Sequence, residues 1–114
     1  MDGPSPKVLR EWLLSEIGIE MSTASCFLSV PNGTQYADGG YHLAIAEIFH
    51  AALSKLEKGI EGEALAVEME SLRDKWEEIR RDPKSSPVSD FYLSGERQGF
   101  RWVTNVIRTG NRGG

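Results

Sequence analysis

Cysteine is almost absent from this chain. Cys26 is the only one in 114 residues, which excludes an intramolecular disulfide and an all-cysteine metal cage. No apolar run approaches the roughly 18 residues that a membrane span needs. The opening MDGPSPK lacks the charged-then-apolar order of a secretory signal, so a cytoplasmic protein away from the membrane is expected. There is no Gly-rich phosphate loop, no Ser-His-Asp order and no paired-cysteine motif. Excess positive charge is missing too. Thirteen Lys and Arg stand against 17 Asp and Glu, a net charge of −4, so the chain as a whole is repelled by nucleic acid.

What is present fits one globular domain over residues 1–114. Apolar residues make up 39% and there are 12 glycines, together about half of the chain, as in ordinary folded proteins. The ends at 1–4 and 110–114 are expected to be flexible. Charge is unevenly placed. Residues 61–82 hold eight acidic and four basic side chains, whereas residues 83–114 hold two acidic and five basic. An acidic middle and a basic end can pair with each other or meet different partners.

Periodicity predicts helices. Ser5-Pro6 is a cap followed by a residue suited to the first turn. Leu9, Trp12, Leu13 and Ile17 continue at helical spacing, and Gly18 offers a left-handed stop, so a helix is expected over about 6–17. The stretch 18–39 is ambiguous: Cys26–Val30 before Pro31-Asn32-Gly33 reads as a short strand and turn, or Ser22 caps a short helix. Asp38 can cap the next helix, whose apolar residues from Tyr41 to Leu56 cover a wide arc and predict a central position. Gly59 and Gly62 interrupt it. Leu65, Met69, Leu72, Trp76 and Ile79 then follow at spacings of 4, 3, 4 and 3, a narrow stripe on a helix over 63–81. Asp82-Pro83 ends that helix. A last helix runs from Ser89 or Asp90 to about Arg108, with Leu93, Phe100, Val103 and Ile107 on one line and Gly95 and Gly99 on a face that another backbone can approach. The expected fold is all-α: a small bundle of three long helices and a shorter N-terminal one, with an irregular or short β insertion at about 18–39.

Four constellations could carry chemistry. Glu47 and His50 form the Glu-x-x-His element of di-metal bundles, with His42 eight residues earlier, but such sites use the element twice and need further glutamates. Cys26 could act as a nucleophile with a histidine base, although no signature residue supports it. Gly39-Gly40 precede a helix and could receive an anion, which Asp38 opposes. Arg97, Arg101, Arg108 and Arg112 lie at spacings of 4, 7 and 4 and form a basic stripe. That stripe can pair with the acidic helix, face solvent, or bind phosphates. Each of the three tryptophans, Trp12, Trp76 and Trp102, falls on a separate helix, and any left exposed would be an interface anchor. Trp102 is the first candidate because it sits beside the stripe.

No catalytic set or cofactor site emerges, and neither does a metal site. In type, a small acidic helical domain without a catalytic signature resembles accessory or inhibitor proteins carried by phages and mobile elements, which implies action by docking on a larger complex. The expectation is a non-enzymatic interaction protein that binds a protein or nucleoprotein partner. Its contacts are Glu61, Glu63, Glu68, Glu70, Asp74, Glu77 and Glu78 on the acidic helix, the 18–40 segment, and Arg97, Arg101, Trp102 and Arg108 on the last helix. The alternatives are a metal-binding bundle or enzyme using Glu47 and His50, and a nucleic-acid binder using the Arg97–Arg112 stripe. Self-association is expected, if it occurs, through Leu65–Ile79 or the Gly95/Gly99 face.

Overall fold

The structure, a computed structural model, describes residues 3–28, 33–82, 84 and 90–113, with side chains for all of these except residue 28 and residues 33–38. It is all-helical: α1 (Pro6–Leu28), α2 (Gly33–Glu57), α3 (Gly62–Arg81) and α4 (Asp90–Thr109), with no strand among the described residues. None of these helices is long and apolar enough to cross a membrane.

Two expectations are corrected. The first helix is not a short one ending at Gly18. It has 23 residues, more than α3 or α4 with 20 each. Glycine costs about 1 kcal/mol in a helix interior, which is less than burial returns further along: Glu20 and Ala24 both turn inward and are buried. Nor does a strand occur among the described residues of 18–39. Helix continues to Leu28 and resumes at Gly33, five residues before the expected cap at Asp38, and the turn signal at Pro31-Asn32 lies outside the described residues.

Other boundaries follow local chemistry. Ser5 caps α1, its Oγ accepting from the Val8 N–H at 3.3 Å and its carbonyl accepting from Leu9 at 2.9 Å. After α2, Gly59 takes a left-handed φ of 93°. There the Ile60 N–H reaches Lys55 O at 3.2 Å and the Gly59 N–H reaches Leu56 O at 3.0 Å, the paired bonds of a Schellman end. Asp82 is extended (φ −70°, ψ 119°), as a residue before proline must be.

α2 is the centre of the bundle and packs against α1 on one side and α4 on the other, while α3 packs chiefly on α4. The core joins Leu9 and Leu13 of α1, Ile45, Phe49 and Leu53 of α2, Leu65 and Met69 of α3, and Phe100, Val103 and Ile107 of α4. α4 can lie this close because of its glycines. A methyl group at Gly99 would stand 2.9 Å from Ile48 Cβ. The Gly95/Gly99 face and the buried part of the Leu65–Ile79 stripe, which the sequence leaves open as seams between copies or within one bundle, pack inside the molecule. The stripe is only half used: Leu65 and Met69 are fully buried, whereas Ile79 is 58% exposed.

Both described ends lie against the bundle. Gly3 lies so close to the Ile107 backbone that no Cβ would fit. Beyond Gly110, the Arg112 carbonyl accepts from Asn105 Nδ2 at 2.7 Å, and the Arg112 guanidinium lies 4.4 Å from the Trp102 ring centre and pairs with Glu16.

Candidate functional site

The basic stripe and the acidic helix face each other, and their pairing decides what is left for a partner. Arg108 Nη2 lies 2.7 Å from Glu63 and 2.8 Å from Glu70, so one guanidinium clamps both carboxylates of α3. These hydrogen bonds hold both glutamates below the ordinary carboxylate range and push the Arg108 pKa up. One turn or more away, Arg97 Nε pairs with Glu77 at 3.1 Å. Arg112 pairs with Glu16 of α1. Arg101 is exposed and bonds to Gln98 at 2.9 Å. Three of the four arginines are thus used inside the molecule.

The remaining candidates divide by face. Glu68 meets Lys55 at 3.4 Å and Asp74 meets its neighbour Arg73 at 3.2 Å. Glu61 and Glu78 are exposed and have no cationic partner among the described residues. Trp102 is not an exposed anchor. It is half-buried against the core beneath Arg112.

A group that sequence reasoning missed lies in the α3–α4 seam. Glu96 is 4% exposed. Its carboxylate accepts from Arg80 Nη2 at 3.1 and 3.2 Å and from the Trp76 indole N–H. Arg80 also lies 5.3 Å from the Trp76 ring centre, and its Nε is buried without a partner among the described residues. Burial pushes the Glu96 pKa up, against the pull of Arg80 and Trp76. The signal was present: Glu96, Phe100, Val103 and Ile107 are spaced 4, 3 and 4, which puts the carboxylate on the apolar line.

The metal constellation does not assemble. No group of three His, Cys, Asp or Glu side chains is placed to hold a metal ion among the described residues. Glu47 is exposed and accepts from the Tyr92 hydroxyl, while His42 is turned to Glu20 at 2.5 Å, with its ring stacked on Phe27. Glu47 and His50 line an apolar groove of about 320 Å³ between α1 and α2, beside Ile17, Met21 and Leu43. Cys26 is exposed on α1.

At the turn between α2 and α3 lies a larger open depression of about 810 Å³. Ile60, Ala64 and Val67 form its apolar floor, and Glu61, Glu63 and Glu68 stand around it. Val67 is 52% exposed.

Comparison with protein-family models, curated proteins and solved structures finds no match to this chain.

Proposed function

We propose that this chain is an interaction protein rather than an enzyme, and that it docks on a larger protein or nucleoprotein complex through the outward face of α3. The observation that supports this reading is the division of labour on α3. The carboxylates on its α4 side, Glu63, Glu70 and Glu77, are paired with arginines of α4. Its outward side keeps a large apolar residue in solvent, Val67, together with Glu68, Asp74 and Glu78, and Glu61 stands just before the helix. Apolar anchors ringed by charge are the usual makeup of a docking patch. An inhibitor or accessory role of the phage or mobile-element type fits a surface of this kind, which blocks or bridges without chemistry.

The test is affinity capture from the native host with the full chain and with a Glu61→Lys, Val67→Lys, Glu78→Lys variant. All three positions are exposed, so the variant is expected to keep its helical spectrum. A partner captured by the parent and by an Arg101→Ala control, and lost with the triple variant, supports the reading. Equal capture by all three proteins refutes it.

A further inference from the structure

The depression at the turn between α2 and α3 is apolar inside and has more acid than base around it. Ile60, Ala64 and Val67 form the floor, and Glu61, Glu63 and Glu68 line it. Two cations pair with these carboxylates and their neighbour Glu70. Arg108 spans Glu63 and Glu70, so one positive charge serves two negative ones. Lys55 meets Glu68 at 3.4 Å, with the glutamate side chain half exposed. Glu61 has no cationic partner among the described residues, and its side chain does not cap α3. The next cation along α3, Arg73, is bonded to Asp74, and Lys58 of the turn does not line the depression. The four carboxylates therefore outnumber the two cations paired with them.

That combination selects one kind of occupant. An aliphatic side chain displaces water from Ile60, Ala64 and Val67. Around it, the excess of carboxylates attracts Lys and Arg and repels phosphate, so nucleic acid and anionic lipid are disfavoured. A second copy meeting the same depression face to face would set glutamate against glutamate.

We propose, resting on the reading of α3 as the docking face, that the depression takes a cationic helical segment of a protein partner, anchored by an aliphatic residue. Spacing defines the segment further. Glu61, Ala64 and Glu68 lie at intervals of 3 and 4, which sets the two glutamates about 10 Å apart at 1.5 Å per residue. A partner helix matches this row when a Lys or Arg is followed three or four residues later by an aliphatic residue, and after the same interval again by a second Lys or Arg. Its cations meet Glu61 and Glu68, and its aliphatic residue meets Ala64 and Val67. Lys55 does not block this arrangement, because an exposed ion pair contributes little and exchanges readily.

The test is selection of a displayed library of random peptides, about 16 residues or four helical turns long, against the full chain at low salt. Enriched peptides are expected to carry Lys or Arg on both sides of an aliphatic residue. Made as synthetic peptides, they should bind about tenfold more weakly when salt rises from about 50 to about 500 mM. Val67→Ser and the pair Glu61→Gln with Glu68→Gln should each weaken binding about as much, on the order of tenfold or 1.4 kcal/mol. All three positions are exposed, so the melting temperatures of both variants should match the parent. No enrichment, enrichment of peptides without excess Lys and Arg, or binding that both variants retain overturns the proposal. So does self-association of the parent in sedimentation that Val67→Ser abolishes, since a second copy would then be the occupant. The docking reading is judged separately, by capture from the host. A host partner that is lost with the Glu61→Lys, Val67→Lys, Glu78→Lys variant, yet holds at high salt and cross-links to α3 through a segment without Lys or Arg, keeps that reading and overturns only the cationic occupant. Equal capture by parent and variant refutes the docking reading, and the peptide result then stands or falls by itself.

Discussion

Gly95 of α4 rests on the backbone of Tyr41 of α2: a methyl group at this glycine would overlap the Tyr41 carbonyl oxygen and stand 2.9 Å from Ala44 Cβ. Neither a carbonyl nor a Cβ can swing aside as a long side chain can. Gly95→Ala is therefore expected to destabilise by about 1–3 kcal/mol, the usual cost of overpacking, even though alanine is the better helix former. Gly18→Ala has open space around it and is expected to stabilise the monomer by about 1 kcal/mol. Urea denaturation of the two variants checks both signs; equal effects would mean that the α2–α4 approach is looser than described.

Arg80 and Glu96 form a pair with side chains 24% and 5% exposed. Arg80→Ala leaves a buried carboxylate with only the Trp76 indole as donor, so a loss on the order of 3 kcal/mol is expected. Replacing both, as Arg80→Met with Glu96→Leu, should be close to neutral because no buried charge is left behind. A double variant as unstable as Arg80→Ala would show that the pair itself, and not the stranded charge, carries the stability.

Stability should respond to acid in two opposite ways. Arg108 lowers the pKa of Glu63 and Glu70 from the ordinary 4.5, so their contribution is present above that value and is lost as pH falls through the lowered folded-state pKa. Burial raises Glu96 above 4.5, so its contribution is present below 4.5 and is lost as pH rises through the raised pKa. Melting temperature against pH should show Arg108→Ala flattening the acid limb and Glu96→Gln flattening the decline above it. If Arg108→Ala leaves the acid limb unchanged, the clamp on Glu63 and Glu70 is not the cause.

Arg112 joins the end of the chain to α1 by its pair with Glu16 and by lying 4.4 Å and 5.8 Å from the Trp102 and Trp12 ring centres. Arg112→Ala should cost about 1–2 kcal/mol, since partly desolvated cation–π contacts reach that range, and should alter tryptophan fluorescence in the folded state. An unchanged melting temperature and an unchanged spectrum would show that the tail is not seated.

The sequence by itself determined the class of fold and several of the helix ends. Ser5-Pro6, Gly59, Asp82-Pro83 and Gly110 act through local sterics and local hydrogen bonds, and they need no distant partner to do so. The 4, 3, 4, 3 spacing on α3 showed an apolar stripe, because periodicity is a property of one helix. Tertiary structure decided the rest. Gly18 reads locally as a stop, yet α1 runs through it because Glu20 finds His42 and Ala24 finds the core. The arginine stripe reads equally as bridge, solvent face or phosphate site. Only the approach of α3 to α4 turned Arg97 and Arg108 onto Glu77, Glu63 and Glu70. Which face of α1 stays uncovered was undecidable from its own residues, since exposure is set by how many neighbours the packing supplies and not by the helix that waits for them.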